Sequence, residues 1–276
     1  MSEAEDRIDP GLWSLLLVGL VAGLLSGALG VGGGIVMVPL MVGVLHFDQH
    51  RAHATSLAAI VLIALAGAIR FAVGGEVDVT VGIAIGLGGV VGSTLGAHLM
   101  HRLSPDALKG VFGTLMILVG IRMVIGGTPN FDPVTGTVAV ILVAVGVGLI
   151  AGVASGVAGI GGGVIMVPAM VFLLGLGQHA AEGTSLLAIL FTAVAGTRVN
   201  VRNQRVDLKQ STVIGLGGIV SAVGGASIAL LIDASSLTRV FGAFVGVVGV
   251  RMIVRLVRSR GVGWSSIPSE SEQGES

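Results

Sequence analysis

Eight stretches of this chain are apolar enough to cross a bilayer as helices, each crossing needing about 20 such residues. They fall at 12–45, 54–73, 79–100, 108–126, 138–177, 184–199, 211–232 and 237–256. Backbone N–H and C=O groups find no water in the hydrocarbon core, so repeated apolar runs of this length close their hydrogen bonds as helices. The expected fold class is an all-α integral membrane protein. Composition agrees: 53% of residues are hydrophobic and 11% charged, against about 25% charged in soluble domains. That balance excludes an ordinary soluble enzyme, and a disordered chain would need the opposite one. The 47 glycines show no G-X-Y period and come with 7 prolines, which excludes collagen. A net charge of zero gives no basic field for nucleic acid. With no cysteine, disulfides, thiol chemistry and thiolate metal sites are absent.

The first and fifth runs are too long for one simple span, and glycines interrupt both. Gly30-Val31-Gly32-Gly33-Gly34 breaks one, and Gly159-Ile160-Gly161-Gly162-Gly163 breaks the other. Their agreement is part of an internal repeat. A shift of 129 residues lays the second half on the first without a gap, with 42 identities over the 105 positions from Gly23 to Gly127. Gln49-His50 falls on Gln178-His179, Thr55-Ser56-Leu57 on Thr184-Ser185-Leu186, Val77-Asp78 on Val206-Asp207, and Arg122-Met123 on Arg251-Met252. His53 instead faces Glu182, and Arg70 faces Val199. The expected organisation is two homologous four-span repeats, about eight transmembrane helices in all, each with a Gly-rich break in its first element. The boundaries read as an N-terminal segment 1–11, repeats 12–127 and 138–257, a linker 128–137, and a polar, disordered tail 258–276. Whether the repeats are parallel or inverted is left open.

Acidic residues dominate the first nine positions, the reverse of the basic start of a secretory signal. Lys and Arg in loops set orientation. With eight spans, eleven lie on the side of the two termini and four (Arg51, Arg102, Lys109, Arg239) on the other. If each glycine break adds a crossing, Arg51, Arg102 and Lys109 trade sides with Arg70 and Arg122, and the count becomes twelve against three. Both cases place both termini in the cytoplasm of a multi-pass plasma-membrane protein.

The glycine breaks are the first candidate site. Consecutive glycines uncover backbone N–H groups and permit positive φ, forming a concavity for an anion. A helix starting near Ile35 or Val164 would aim its positive end at the same place, with Pro39 and Pro168 in its first turn, where a missing N–H costs least. Gly32, Gly33, Gly34, Gly161, Gly162 and Gly163 are therefore candidate substrate contacts. The alternative is helix packing, the better reading for Gly19, Gly23 and Gly27 and for Gly88, Gly92 and Gly96, spaced four apart. Thr55, Ser56, Thr184 and Ser185 open apolar runs, as N-caps or as hydroxyl donors to a substrate. His50 and His179 are matched and able to titrate near neutral pH, as proton-coupling residues or as interfacial histidines. A metal at His46, His50 and His53 is disfavoured, because the second half keeps His179 alone. No acid lies at the centre of a run, and cation pathways use such acids, so the substrate is expected to be anionic. Arg122 and Arg251 read as snorkelling at the cytoplasmic edge. The glycines lack dinucleotide spacing and a Walker lysine, and no HExxH is present, so neither a cofactor nor an enzyme activity is expected.

Once per half, the chain carries G-x-G-G-G-x-x-x-V-P, then Thr-Ser-Leu, then Val-Asp after a polar loop. This doubled pattern, over roughly residues 12–256, resembles the TauE/SafE sulfite exporter family. The resemblance implies export of sulfite or an organosulfonate through the bilayer, with a small anion as the ligand partner. It implies no nucleic acid and leaves an oligomer open. An anion channel of the same architecture and a non-transporting membrane scaffold are the alternatives. A transporter saturates and runs uphill when a second gradient drives it; a channel does not.

Overall fold

The computed structural model describes residues 11–99, 105–126, 133–158, 162–204 and 206–261, with the backbone alone at 96–99, 105–109, 156–158 and 259–261. The described residues form ten α-helices: α1 Leu12–Leu29, α2 Gly34–Gly43, α3 Gln49–Val73, α4 Val79–Leu99, α5 Pro105–Ile125, α6 Thr137–Ala158, α7 Gly163–Leu173, α8 Gln178–Arg202, α9 Leu208–Leu231 and α10 Ala234–Gly261. Six of these (α1, α3, α6, α8, α9 and α10) are long and apolar enough to cross a membrane, and α4 and α5 have 21 residues each. The chain is an all-helical, multi-span membrane protein. Helices α3 and α8 begin earlier than the apolar runs at 54 and 184, because their first turns hold the polar Gln-His pairs that a hydropathy reading leaves to a loop. The polar tail beyond Gly261 and the centre of the 128–137 linker lie outside the described residues.

Glycine contacts fix the direction of each helix. Gly19, Gly23 and Gly27 of α1 lie on the backbone of Ile214, Gly218 and Ala222 of α9, so α1 and α9 run parallel. Helix α3 joins them in the same direction. Arg51 pairs with Asp207 at 2.8 Å, Leu62 covers Gly215, and Arg70 donates to Ser227 Oγ at 2.8 Å. A second parallel trio consists of α4, α6 and α8: Gly88 and Gly92 lie on Val145 and Leu149, and Gly82 and Gly86 on Leu187 and Phe191. The trios run in opposite directions. Across their contact, Gly196 meets Leu57 of α3, Gly67 meets Leu186, and Gly183 meets Phe71. Helices α5 and α10 form an antiparallel pair, with Gly113 on Ile253 and Gly120 on Gly242 and Gly246. At the α1/α9 and α4/α6 contacts glycines meet the partner helix's backbone directly, with the Ser221 side chain also against Gly23, the usual use of small residues between membrane helices. The packing reading of Gly19, Gly23, Gly27, Gly88 and Gly92 holds; the contacts of Gly96 lie outside the described residues. Leu87, Val220 and Val247 are among the large apolar side chains left facing outward.

These directions define two faces of the bundle. The starts of α3 and α9 share one, which the Arg51–Asp207 pair marks. The starts of α8 and α10 share the other, marked by Arg239. The eight-span reading placed Arg51 opposite Lys209, and the ion pair two residues from Lys209 corrects this. It also joined Arg122 to Arg251. Antiparallel α5 and α10 instead put Arg122 on the Arg239 face and Arg251 on the Asp207 face. The cause is the glycine break, which turns the chain back instead of carrying it onward. Helix α2 returns to the Asp207 face to start α3. Helix α7 returns to the Arg239 face, where Val134 N donates to Leu173 O at 3.1 Å beside the start of α6.

Candidate functional site

Helix α1 ends because Gly30 adopts the left-handed conformation, φ 65°, with its N–H donating to Ser26 O at 2.8 Å. Gly32 and Gly33 follow at φ 77° and 74°. Three residues at positive φ reverse the chain within a few ångströms, which only glycine does without strain. Gly162 in the other break has φ −64°, an ordinary helical value, so the two breaks share a sequence pattern but differ in conformation. Gly161 lies outside the described residues.

The half-helices α2 and α7 start near the middle of the bundle. Gly34 lies against Ile60, the twelfth of the 25 residues of α3. Gly32 and Gly163 both lie against Ile189, the twelfth of the 25 residues of α8. The two breaks also touch each other: a methyl on Gly163 would stand 2.7 Å from Val31 Cα and 2.8 Å from the Gly30 carbonyl oxygen. Neither half-helix has a side-chain cap, and Gly33, Gly34, Gly162 and Gly163 are buried. Two uncapped N-termini, each equivalent to about half a positive charge, therefore converge at mid-depth. Pro39 and Pro168 fall in the second turn, not the first, because the helices start at Gly34 and Gly163. The missing N–H at each leaves the carbonyls of Ile35 and Val164 without their in-helix donor.

The hydroxyl pairs are not N-caps. Thr55 and Thr184 are the seventh residues of α3 and α8, whose N-cap positions are Asp48 and Gly177. Thr184 Oγ1 accepts from Asp78 N at 2.9 Å, tying α8 to the start of α4, and Ser56 Oγ donates to His53 O at 2.8 Å. Thr55 Oγ1, Ser185 Oγ and Ser26 Oγ are buried with no hydrogen-bond partner among the described residues. Ser26 escaped the sequence reading, although its match with Ser155 inside the repeated S-G-x-x-G was the available signal. The pairs do not form one site. Gly183 packs on Phe71, so Thr184 lies level with a residue 16 positions beyond Thr55, about 24 Å along α3 at 1.5 Å per residue.

The two histidines also part company. His50 is exposed on the Asp207 face. On the other face, His179 Nε2 lies 3.0 Å from Ala229 O and 3.1 Å from Ile232 O. Both partners only accept, so that nitrogen carries the hydrogen and holds α8 to the end of α9.

Most described acids have structural work at helix starts. Asp48 accepts from His50 N, Asp78 from Val81 N, Asp207 from Gln210 N and Asp233 from Ser236 N. The Ser235 hydroxyl and the Ser236 N–H hold the Asp233 carboxyl down to about 2. Glu182 differs. It is fully buried in the second turn of α8, with Oε1 accepting from Gln178 Nε2 at 2.8 Å and Oε2 unpartnered among the described residues. Its place near a helix end agrees with the absence of acids at run centres, but its burial is not visible in the hydropathy, because α8 starts six residues before its apolar run.

Above Gln178, a cavity of about 550 Å³ opens on the Arg239 face, lined by Arg122, Phe172, Gly175, Gln178, Thr238 and Arg239. Arg122 thus lines a cavity instead of snorkelling beside Arg251. Thr238 Oγ1 donates to Gln178 Oε1 at 3.4 Å, so polar side chains lead from this cavity to Glu182. Glu182 in turn abuts the first break, since a methyl on Gly30 would meet its Cα and carbonyl oxygen at 2.7 Å.

Comparison with known proteins places the chain among membrane transporters. Residues 2–123 and 144–274 match the family described as sulfite exporter TauE/SafE. A probable membrane transporter protein of Xylella fastidiosa is 32% identical over 244 residues, covering 87% of this chain and 92% of the relative. The probable membrane transporter proteins YdhB and YunE of Bacillus subtilis are 31% and 27% identical, each over 66% of this chain and 76% of the relative. No solved structure matches the chain. With both halves matched, the chain belongs to the TauE/SafE family of membrane transporters.

Proposed function

We propose that this chain moves a small oxyanion, sulfite or an organosulfonate, across the plasma membrane, with export as the direction the family description favours. The observation that carries this reading is the convergence of two uncapped, buried half-helix N-termini at mid-depth, each supplied by a glycine break. Broken helices that aim their positive ends at a midplane ligand suit an anionic group. In this reading Gly32, Gly33, Gly34, Gly162 and Gly163 hold the anion at the centre. Thr184 and Ser185 serve the path toward the Arg239 face, and Thr55 and Ser56 the path toward the Asp207 face. Eight long helices form two inverted repeats, with α2 and α7 as half-helices that return the chain to the face it came from. Among the described residues the helix directions leave nine Lys and Arg residues toward the Asp207 face and three (Arg70, Arg122, Arg239) toward the other, so the Asp207 face and both termini are cytoplasmic in this reading.

Orientation is tested by labelling, which the absence of native cysteine makes clean. Ser235→Cys lines the cavity and should react with an impermeant maleimide added to intact cells. Asn203→Cys should react only after permeabilisation. The opposite pattern inverts the orientation.

Ligand charge is tested by thermal shift in detergent. An oxyanion at about 100 times its dissociation constant adds about 2.7 kcal/mol of stability, while metal cations add none. Thr55→Val removes an unpartnered hydroxyl at nearly constant volume, so it should weaken oxyanion flux and leave the melting temperature in place. Stabilisation by a cation and by no oxyanion overturns the assignment.

A further inference from the structure

We propose that Glu182 carries a proton together with the anion, one proton per turn, a symport in which export runs down the anion's own gradient and an inward proton gradient opposes it. The proposal rests on the oxyanion reading above and adds the coupling ion and the residue that bears it. Its basis is placement. Glu182 is fully buried, one carboxyl oxygen has no partner among the described residues, and its backbone forms a wall of the first glycine break. On its other side Gln178, 3% exposed, separates it from the Arg239-face cavity and gives Oε1 its single hydrogen bond at 2.8 Å. Gln178 therefore touches both the carboxyl and the cavity.

The charged groups around Glu182 all have other positions or partners. Glu76 and Asp78, between α3 and α4, approach through backbone atoms at Gly183 and Thr184. Arg122 of α5 and Arg239 of α10 line the cavity beyond Gln178. His179 on the same helix points to the end of α9, and the first break offers backbone only. A lone buried carboxylate is costly, and as an anion it would repel a second anion at the half-helix starts. A proton bound at Oε2 removes that repulsion and adds an O–H donor. Proton and anion then favour each other's binding, and linkage makes the effect reciprocal. No bond to carbon or sulfur changes. The proton enters at Oε2 from one face and leaves to water on the other. The matched position in the first half is His53, so the chain carries this acid once. A sodium ion fits less well, since hard cations take several oxygens together and no cluster of three or more acidic or histidine side chains lies among the described residues.

The test uses the full chain, with methanesulfonate as the probe because its own charge is constant across the pH range. In lipid, the infrared spectrum of the wild type near neutral pH should show a protonated carboxylic acid band that Glu182→Gln lacks. Methanesulfonate affinity should fall by up to about tenfold per pH unit as the carboxyl titrates, the slope of one linked proton, and be flat with pH in Glu182→Gln. In liposomes holding a pH dye, wild-type uptake should acidify the lumen, and an imposed proton gradient should drive accumulation that the variant loses. Absence of the acid band, or a pH slope that persists in Glu182→Gln, overturns the role of Glu182. Methanesulfonate flux with no proton movement, or with a requirement for sodium, overturns coupling and leaves oxyanion transport standing. The acid band without flux of methanesulfonate, sulfite or taurine overturns the transport reading, and the symport with it.

Discussion

Gly163→Ala should reduce oxyanion flux by on the order of 100-fold per folded molecule, the scale on which a displacement of about 1 Å spoils a positioned group. The added methyl would stand 2.7 Å from Val31 Cα and 2.8 Å from the Gly30 oxygen. Both neighbours are backbone in a buried turn, so the start of α7 must move away from the first break. Gly33→Ala reaches the same end by another route, because a side chain at φ 74° is strained by about 1–3 kcal/mol wherever space exists. Gly162→Ala supplies the contrast. Its backbone is already helical, and its methyl would meet the Met166 Cε at 2.6 Å, the far end of a flexible side chain. Flux in liposomes, normalised to folded protein by size-exclusion profile, should therefore rank Gly162→Ala well above the other two. Normal flux in Gly163→Ala would place the anion elsewhere in the bundle.

Gly27→Ala and Gly92→Ala should instead damage stability. A Cβ at Gly27 meets the Ala222 carbonyl, and one at Gly92 meets the Leu149 carbonyl. With backbone on both sides nothing can rotate aside, so each helix pair must separate. The cost should reach or exceed the roughly 1–3 kcal/mol of an overpacked core. Melting temperature should drop, and flux should fall only in proportion to the folded fraction. Gly146→Ala and Gly224→Ala are the controls. Both sit in helices with open space where the methyl would go, so they should be neutral or stabilising by up to about 1 kcal/mol. A loss of flux in Gly27→Ala or Gly92→Ala without a loss of stability would mean that these contacts belong to the transport path.

Much of this arrangement could be read from the residues, because hydropathy and glycine spacing act locally. The apolar runs foretold the helices, and the two GGG clusters marked where a long run had to break. The direction taken after the break was not legible. A 34-residue apolar run has the same hydropathy whether the chain goes onward or returns, and the difference decides the side on which Arg51 and Arg122 lie. Contacts between distant segments, such as Arg51 with Asp207, resolve it. For a related reason the burial of Glu182 is not legible. Gln178, His179 and Glu182 lower the local hydropathy, so the first turns of α8 resemble a loop, although helical spacing i, i+4 already aligned Gln178 with Glu182. The hydroxyl pairs recur at matched positions in the two halves. Their separation by most of the bundle follows from the opposed directions of α3 and α8, which no sequence pattern encodes.

The unlike conformations of the two glycine motifs, φ 74° at Gly33 and −64° at Gly162, bear on the energy landscape of the whole molecule. The matched helices α1 and α6, α3 and α8, and α4 and α9 run in opposite directions through the bundle. If each half took up the shape now held by the other, the cavity beside Gln178 would close and its counterpart beside Gln49 would open. The two shapes would be degenerate if the halves were identical. Only unmatched pairs such as His53 with Glu182, or Arg70 with Val199, lift that degeneracy. A bias of about 1.4 kcal/mol changes the ratio of the two populations tenfold, so the resting side of the molecule is set by the sum of small differences between halves that share 42 of 105 aligned residues.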